Sequence, residues 1–261
     1  MDVIPYAVGG AAEQVAASER LWREVGAGRM PATARWYGYT RAALVLGVGQ
    51  ALEEVDEEAC RAAGVEVVRR ASGGTAVLVG VTSLALDVAV PDTAAVGGTD
   101  VVEAYRWLGV GLARALRRVA PETQIAVAGV AEARADRAAQ RGAVPGSGEA
   151  LRGLACFGTL SPYEVTHGGR KLVGLSQVRK RGVVMYQAGL YTRFAGRDLA
   201  GLLALPPGQR EVLAVELDRR VATLEDLGLS AGVLPELMRV VHEELRAAAA
   251  EVELGAASPG Q

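Results

Sequence analysis

Cys156 and Lys171 stand fifteen residues apart in the stretch "ACFGTLSPYEVTHGGRKLVGLSQ", residues 155–177, with a Gly168–Gly169 pair between them. A thiol is nucleophilic as its thiolate, and a cation placed beside it favours that form. The glycine pair reads as a two-residue hairpin turn. Such a turn pairs His167 with Arg170 and Thr166 with Lys171, and it puts Lys171, Val173 and Leu175 on one sheet face. A lysine on an apolar face either snorkels to water or works as a partly desolvated cation in a cleft. Cys156 has two readings as well, inert packing or a reactive thiol next to that cation.

A second cluster lies upstream in "VVRRASGGTAVL", where a strand delivers Arg69 and Arg70 into Ser72, Gly73 and Gly74. Two glycines let peptide N–H groups approach an anion or a thioester carbonyl, and Arg70 offers a planar double donor for phosphate or carboxylate. The alternative is an ordinary loop with a surface arginine. Further upstream, Gly47 and Gly49 of "GVGQ" imitate the opening of a dinucleotide fingerprint, but the third glycine is missing and the run leads into acidic residues. A plain tight turn is expected there. Ser72, Asp87 and His167 lack the "GxSxG" elbow of a hydrolase. Two scattered histidines, with His242 on a C-terminal helical pattern, and two distant cysteines have no metal-ligand spacing, so no metal site is expected. Arg179, Lys180 and Arg181 read as a solvated hairpin end, suited, if functional, to acidic protein surfaces.

The elements that must position these residues follow from the hydrophobic period. Val15, Leu21, Trp22 and Val25 mark an amphipathic helix over 10–25. Strands are expected in "ARWYGY", "AALVLGVG", "VEVVRR", "TAVLVG" and "SLALDVAV", with a short helix from Asp56. Thr99 or Asp100 can cap a helix over about 101–118 that packs on the sheet, and "TQIAVAGV" is a further strand. Residues 131–153, rich in Ala, Arg and Gly without an apolar face, read as a mobile loop or lid. A three-strand meander spans 162–192. Two helical patterns follow from 207, each opened by a proline, and "GAASPGQ" reads as a frayed tail.

Half of the 261 residues are hydrophobic, ample for one sizeable core with a smaller helical appendage. A net charge of −2 demands neither nucleic acid nor an anionic membrane as partner. The start "MDVIPYAVGGAAEQ" has no secretory pattern, so a cytoplasmic protein with free thiols is expected, Cys60 being core packing.

Together these segments resemble the biotin and lipoate protein ligase superfamily, in its lipoate-assembly branch. "PATARWYGYTRAALVLGVGQ" looks like that branch's N-terminal strand pair. "RRASGGTAVL" is similar to its Arg-Arg-x-Ser/Thr-Gly-Gly signature, and "GGRKLVGLSQVRKRGVVMYQAGLY" to its Gly-Arg-Lys-x-x-Gly-Ser-Ala-Gln meander, over about residues 5–200 in all. Cys156-Phe157 and Tyr163-Glu164 match the Gram-positive octanoyltransferases rather than the lipoate ligases.

The resemblance implies an α+β fold, a mixed β-sheet flanked by helices, with a catalytic domain over 1–204 and a small C-terminal helical appendage over 205–261. It implies Cys156 and Lys171 as catalytic residues, with Arg70, Ser72, Gly73, Gly74, Ala76, Val77, Gly174 and Gln187 binding substrate. The implied partners are octanoyl-acyl carrier protein and the lipoyl domains of 2-oxoacid dehydrogenases or glycine cleavage H protein. The transferase needs no cofactor. The runner-up is a lipoate-protein ligase using ATP and magnesium through lipoyl-AMP, with Arg70 and Lys171 holding the adenylate. A third reading is a non-catalytic binder of acyl carrier or lipoyl domains. Where the family shows His-Asp this chain has Val79-Gly80, and Gln187-Ala188 replaces its His-Gly.

Overall fold

The computed structural model describes residues 1–257. Its first half runs β1 (Asp2–Gly9), α1 (Ala11–Gly26), β2 (Thr33–Tyr39), β3 (Ala43–Leu46), α2 (Glu57–Ala62), β4 (Glu66–Arg69), β5 (Val77–Val79), β6 (Ser83–Pro91) and α3 (Arg106–Val119). The second half runs β7 (Ile125–Val127), α4 (Val130–Gly142), α5 (Gly148–Leu151), β8 (Val165–His167), β9 (Arg170–Lys180), β10 (Val183–Tyr191), α6 (Gly196–Ala200), α7 (Pro207–Arg220) and α8 (Leu234–Ala257).

Seven strands form one sheet in the order β1-β2-β6-β10-β9-β8-β7, and β4-β3-β5 form a smaller one. The β1–β2 and β3–β4 pairs are parallel and the rest antiparallel. This is the expected mixed-sheet α+β class. Alternation along β6 divides the large sheet into two faces: Leu84, Leu86, Val88 and Val90 enter the main core, whereas Asp87 faces the other way, toward α1. Leu108, Leu112 and Leu116 of α3 are fully buried in that core, each stabilising by about 1.5–3 kcal/mol. Leu237, Val240, Val241 and Leu245 of α8 join them, and Gly111 admits the close approach, since a Cβ there would lie 2.7 Å from Leu245 Cδ2. Leu213 and Leu217 of α7 pack in a second core with Leu44 and Leu46 of β3. The opposite face of the sheet carries α1, through Leu21 and Val25 against Ala89 and Met185, and the small sheet, through Ala43, Val45 and Val79 against Tyr37, Tyr39 and Ala85. A slot remains between them.

Residues 131–153 are helical, not a lid: α4 and α5 occupy most of the segment. Alanine has the best helix propensity and Glu132 caps the start, its carboxylate accepting the Gly129 N–H at 3.2 Å. The apolar stripe is missing because Ala133 is the one residue α4 buries. Strand β1 carries no alternation to mark it in the sequence, because it lies at the sheet edge with most side chains exposed. Asp100 caps as expected, accepting from the Val102 and Glu103 N–H groups, but a 3₁₀ turn at Glu103–Tyr105 delays α3 to Arg106. Of the expected tail over 255–261, α8 extends through Ala257 and the remainder lies outside the described residues. No helix among the described residues is long and apolar enough to cross a membrane.

Candidate active site

Gly168 and Gly169 take φ of 55° and 77°, the left-handed region that a two-residue turn requires, and His167–Arg170 and Thr166–Lys171 pair as expected. The next pair is Val165–Val173, so Leu172 is an extra residue on β9. Such a bulge breaks the alternation of faces. Val173 and Leu175 enter the main core, while Lys171 stands over Gly174, where a Cβ would lie 3.0 Å from Lys171 Cε. The single face expected for Lys171, Val173 and Leu175 therefore does not form. Lys171 is buried, only 4% exposed, and is not among the residues that line the slot described below.

Its ammonium meets three oxygens: Glu164 Oε1 at 2.7 Å, the Cys156 carbonyl at 2.8 Å and the Thr159 carbonyl at 3.2 Å. Glu164 is 1% exposed and also accepts the Ser161 and Leu175 N–H groups at 2.7 and 3.0 Å. Burial pushes its carboxyl above the usual range, and the Lys171 charge pulls against that rise. Tyr163, one residue earlier, takes φ of 66°, and its carbonyl fits against Gly109, where a Cβ would lie 2.1 Å away. A bare glycine on α3 thus lets the chain turn Glu164 inward.

Cys156 opens a 3₁₀ turn, Cys156–Gly158, and is free and half-buried. Its N–H donates to the Ala76 carbonyl at 2.9 Å, and the Ala76 N–H to the Leu154 carbonyl at 3.2 Å, which docks the turn on the start of β5. Behind the turn the buried Arg152 donates to both oxygens of Asp136 at 2.9 Å and to the Gly158 carbonyl at 3.0 Å. Asp136 also accepts the Leu160 N–H at 2.8 Å and pairs with Arg220. Burial opposes its ionisation, yet Arg152, the Leu160 amide and Arg220 together hold its carboxyl below the usual range. So α4, expected as a lid, carries the carboxylate that anchors the cysteine turn.

The Arg-Ser-Gly-Gly segment comes to the same place. Arg70 Nη2 donates to the Gly73 and Thr75 carbonyls at 2.9 and 3.2 Å and lies 3.9 Å from Cys156 Sγ. Gly74 takes φ of 93°, and Ser72 is buried against Ser176 Oγ at 3.3 Å. "GVGQ" is a turn after β3, as expected, and it buttresses this loop. A Cβ on Gly47 would lie 1.8 Å from the Gly74 carbonyl oxygen, and the Val48 N–H donates to the Ser72 carbonyl at 3.0 Å. Arg69 donates to the carbonyls of Gly47 and Gln50, both at 2.7 Å.

Between α1 and the two sheets lies a slot of about 990 Å³, open mouth included. Cys156, Arg70 and Val77 line it together with Gly174 and Gly189, and Val15, Trp22, Val178 and Met185 line it too. Gln187 also lines it and donates to Asp87 Oδ1 at 3.0 Å. Asp87 in turn accepts from Ser18 at 2.6 Å, Arg35 at 2.9 Å and Tyr37 at 3.2 Å, so the buried carboxylate is fully paired. No hydrogen bond joins Asp87 to His167 or Ser72, and the hydrolase triad is absent among the described residues. The described residues hold no cluster of three or more His, Cys, Asp or Glu fit for a metal ion. Cys60 is buried, and burial pushes its thiol up, in keeping with packing. The roles of Asp136, Arg152 and Asp87 had no motif to announce them, because their side-chain hydrogen-bond partners lie 16 to 100 residues away.

This architecture is that of the lipoate-protein ligases. The structure of the lipoate protein ligase of Thermoplasma acidophilum matches with a TM-score of 0.67 at 17% identity, over 96% of this chain and 82% of that one. A lipoate-protein ligase A bound with ATP matches with a TM-score of 0.65, also at 17% identity, over 96% and 93% of the two chains. The chain belongs to the lipoyl protein ligase A/B catalytic domain family, whose model matches residues 10–246. Relatives named octanoyltransferase LipM are 32% identical in Moorella thermoacetica, over 95% of this chain and 86% of the relative, and 33% identical in Kyrpidia tusciae, over 97% and 87%.

Proposed function

We propose that the chain is an octanoyltransferase of protein lipoylation, acting without a cofactor in the cytoplasm through an acyl-thioester on Cys156. The observation that carries this is a free thiol lining a largely apolar slot, faced by a guanidinium and close to Gly74, where a Cβ would lie 3.4 Å from the sulfur. The Cys156 thiolate attacks the thioester carbon of octanoyl-acyl carrier protein, a new C–S bond forms, and the carrier thiolate leaves. The amine of a lipoyl-domain lysine then attacks the acyl-cysteine, the C–S bond breaks, Cys156 thiolate is regenerated and solvent takes the amine's surplus proton. The developing oxyanion is received by the N–H groups around Gly73 and Gly74, which Arg70 orients by engaging the loop's carbonyls. Lys171 holds the nucleophile's turn through the Cys156 carbonyl, and Gly174 and Gly189 leave room for the acyl chain.

ATP-dependent ligation is the second reading, favoured by the fold shared with an ATP-bound ligase. Purified chain incubated with octanoyl-acyl carrier protein and a lipoyl domain, without nucleotide, separates the two. The transferase reading expects the domain to gain one octanoyl group, with Cys156→Ser inactive. Modification from free acid that needs ATP and survives Cys156→Ala overturns it.

A further inference from the structure

The register of the large sheet sorts the floor of the slot into rows that run across the strands. Residues opposite one another share a face, so one row is Gly174 of β9, Gly189 of β10, Ala85 of β6 and Tyr37 of β2. All four line the slot. A Cβ on Gly189 would meet nothing within 4 Å, so the row is a trough free of side chains over β9 and β10, with a single methyl over β6. It starts beside the nucleophile, since the ring of Phe157, the residue after Cys156, lies 3.2 Å from where a Cβ on Gly174 would stand. It ends at a fixed wall. Tyr37 is 6% exposed, its hydroxyl donates to Asp87 at 3.2 Å, the Arg35 guanidinium covers its ring face at 4.1 Å, and Tyr39 meets it edge-on at 5.7 Å.

The next row, Ser176, Gln187, Asp87 and Arg35, is polar throughout, and Val178 and Met185 lie in the row beyond it. A hydrocarbon chain laid along the strands toward Val178 would cover Ser176 and Gln187 without pairing their polar atoms, which is costly. Across the glycine row it meets apolar surface. Neighbouring strands lie about 4.8 Å apart, so the row from β9 to β6 spans roughly 10 Å. An extended chain advances about 1.2 Å per bond, so the carbon chain of an octanoyl group spans roughly 8–9 Å. We propose that Ala85 sets the acyl-chain length: the acyl group lies across the sheet over Gly174 and Gly189, and its terminal methyl stops at Ala85 against the wall of Tyr37.

This deepens the octanoyl-transfer reading by naming the specificity residue of the same slot, and it rests on that slot as the acyl site, but its test needs no transfer. Calorimetric titration of the full chain with hexanoate, octanoate, decanoate and dodecanoate reads the slot alone. Burying a methylene tightens binding about fourfold, so octanoate is expected to bind roughly fifteenfold tighter than hexanoate, with no further gain at decanoate. Ala85→Leu fills the end of the row; it is expected to weaken octanoate about tenfold and to make hexanoate the tightest ligand, whereas a merely loosened fold weakens all four alike. Val178→Ala, beyond the polar row, is expected to keep the octanoate optimum. The proposal is overturned if wild-type affinity climbs through dodecanoate, if Ala85→Leu keeps the octanoate optimum, if Val178→Ala moves it to decanoate, or if none of the four acids binds. Should Ala85→Leu not fold, the wild-type series and Val178→Ala still decide which way the chain runs and where it ends. The expected optimum together with a failure to form any octanoyl adduct on Cys156 would strike the transferase reading and leave Ala85 as the stop.

Discussion

Glu164→Gln tests the buried ion pair on which the cysteine turn rests. The two side chains are 1% and 4% exposed and meet at 2.7 Å, so neither charge has water to fall back on. Removing one charge leaves an uncompensated ammonium facing only neutral oxygens, a change that costs about 3–5 kcal/mol. At roughly 2–4 °C per kcal/mol for a chain of this length, the midpoint of thermal unfolding falls by roughly 10 °C. Lys171→Met costs less, because the stranded carboxyl, already pushed up by burial, takes a proton and keeps its two backbone donors. The double variant, with both charges gone, recovers most of the loss, giving a coupling of about 2–3 kcal/mol. Urea unfolding followed by tryptophan fluorescence measures all four proteins, and an unchanged m-value licenses the comparison. Single effects that add to within about 0.5 kcal/mol would refute the argument, since they would mean that the two groups do not sense each other's charge.

Gly47→Ala drives a methyl into the Gly74 carbonyl and is expected to cost about 1–3 kcal/mol and most of the transfer rate, whereas Gly49→Ala, with open space around it, is neutral in the same melting and transfer assays. Gly189→Val also meets open space but fills the slot; it is expected to melt like the wild type while KM for octanoyl donor rises and shorter acyl donors are spared. Asp136 titrates below the ordinary carboxylate range in the folded state, so its contribution is complete above about pH 5 and is lost as pH falls through its folded value. Wild type is therefore expected to lose more stability than Asp136→Asn between pH 7 and pH 3.5 in urea titrations, and equal losses would remove Asp136 from the anchor.

The hairpin register was legible because a Gly-Gly turn leaves little choice, and the strands of the central meander follow from alternation. The bulge at Leu172 was not legible: an extra residue in a strand bears no compositional mark, yet it decides which face receives Lys171. Helix α4 was hidden by an alanine-rich surface that needs little burial to fold, and with it went Asp136, anchor of the cysteine turn. Arg70 and Cys156 were each visible as chemistry. Their 3.9 Å separation depends on Gly74 and on the buttress at Gly47, contacts between loops far apart in sequence.

The proposed acyl-enzyme on Cys156 is tested by intact-mass spectrometry of the chain mixed with octanoyl-acyl carrier protein alone. The prediction is one octanoyl adduct, mapped to the peptide containing Cys156, released by hydroxylamine and absent from Cys156→Ala. An unmodified chain that still octanoylates a lipoyl domain would contradict it.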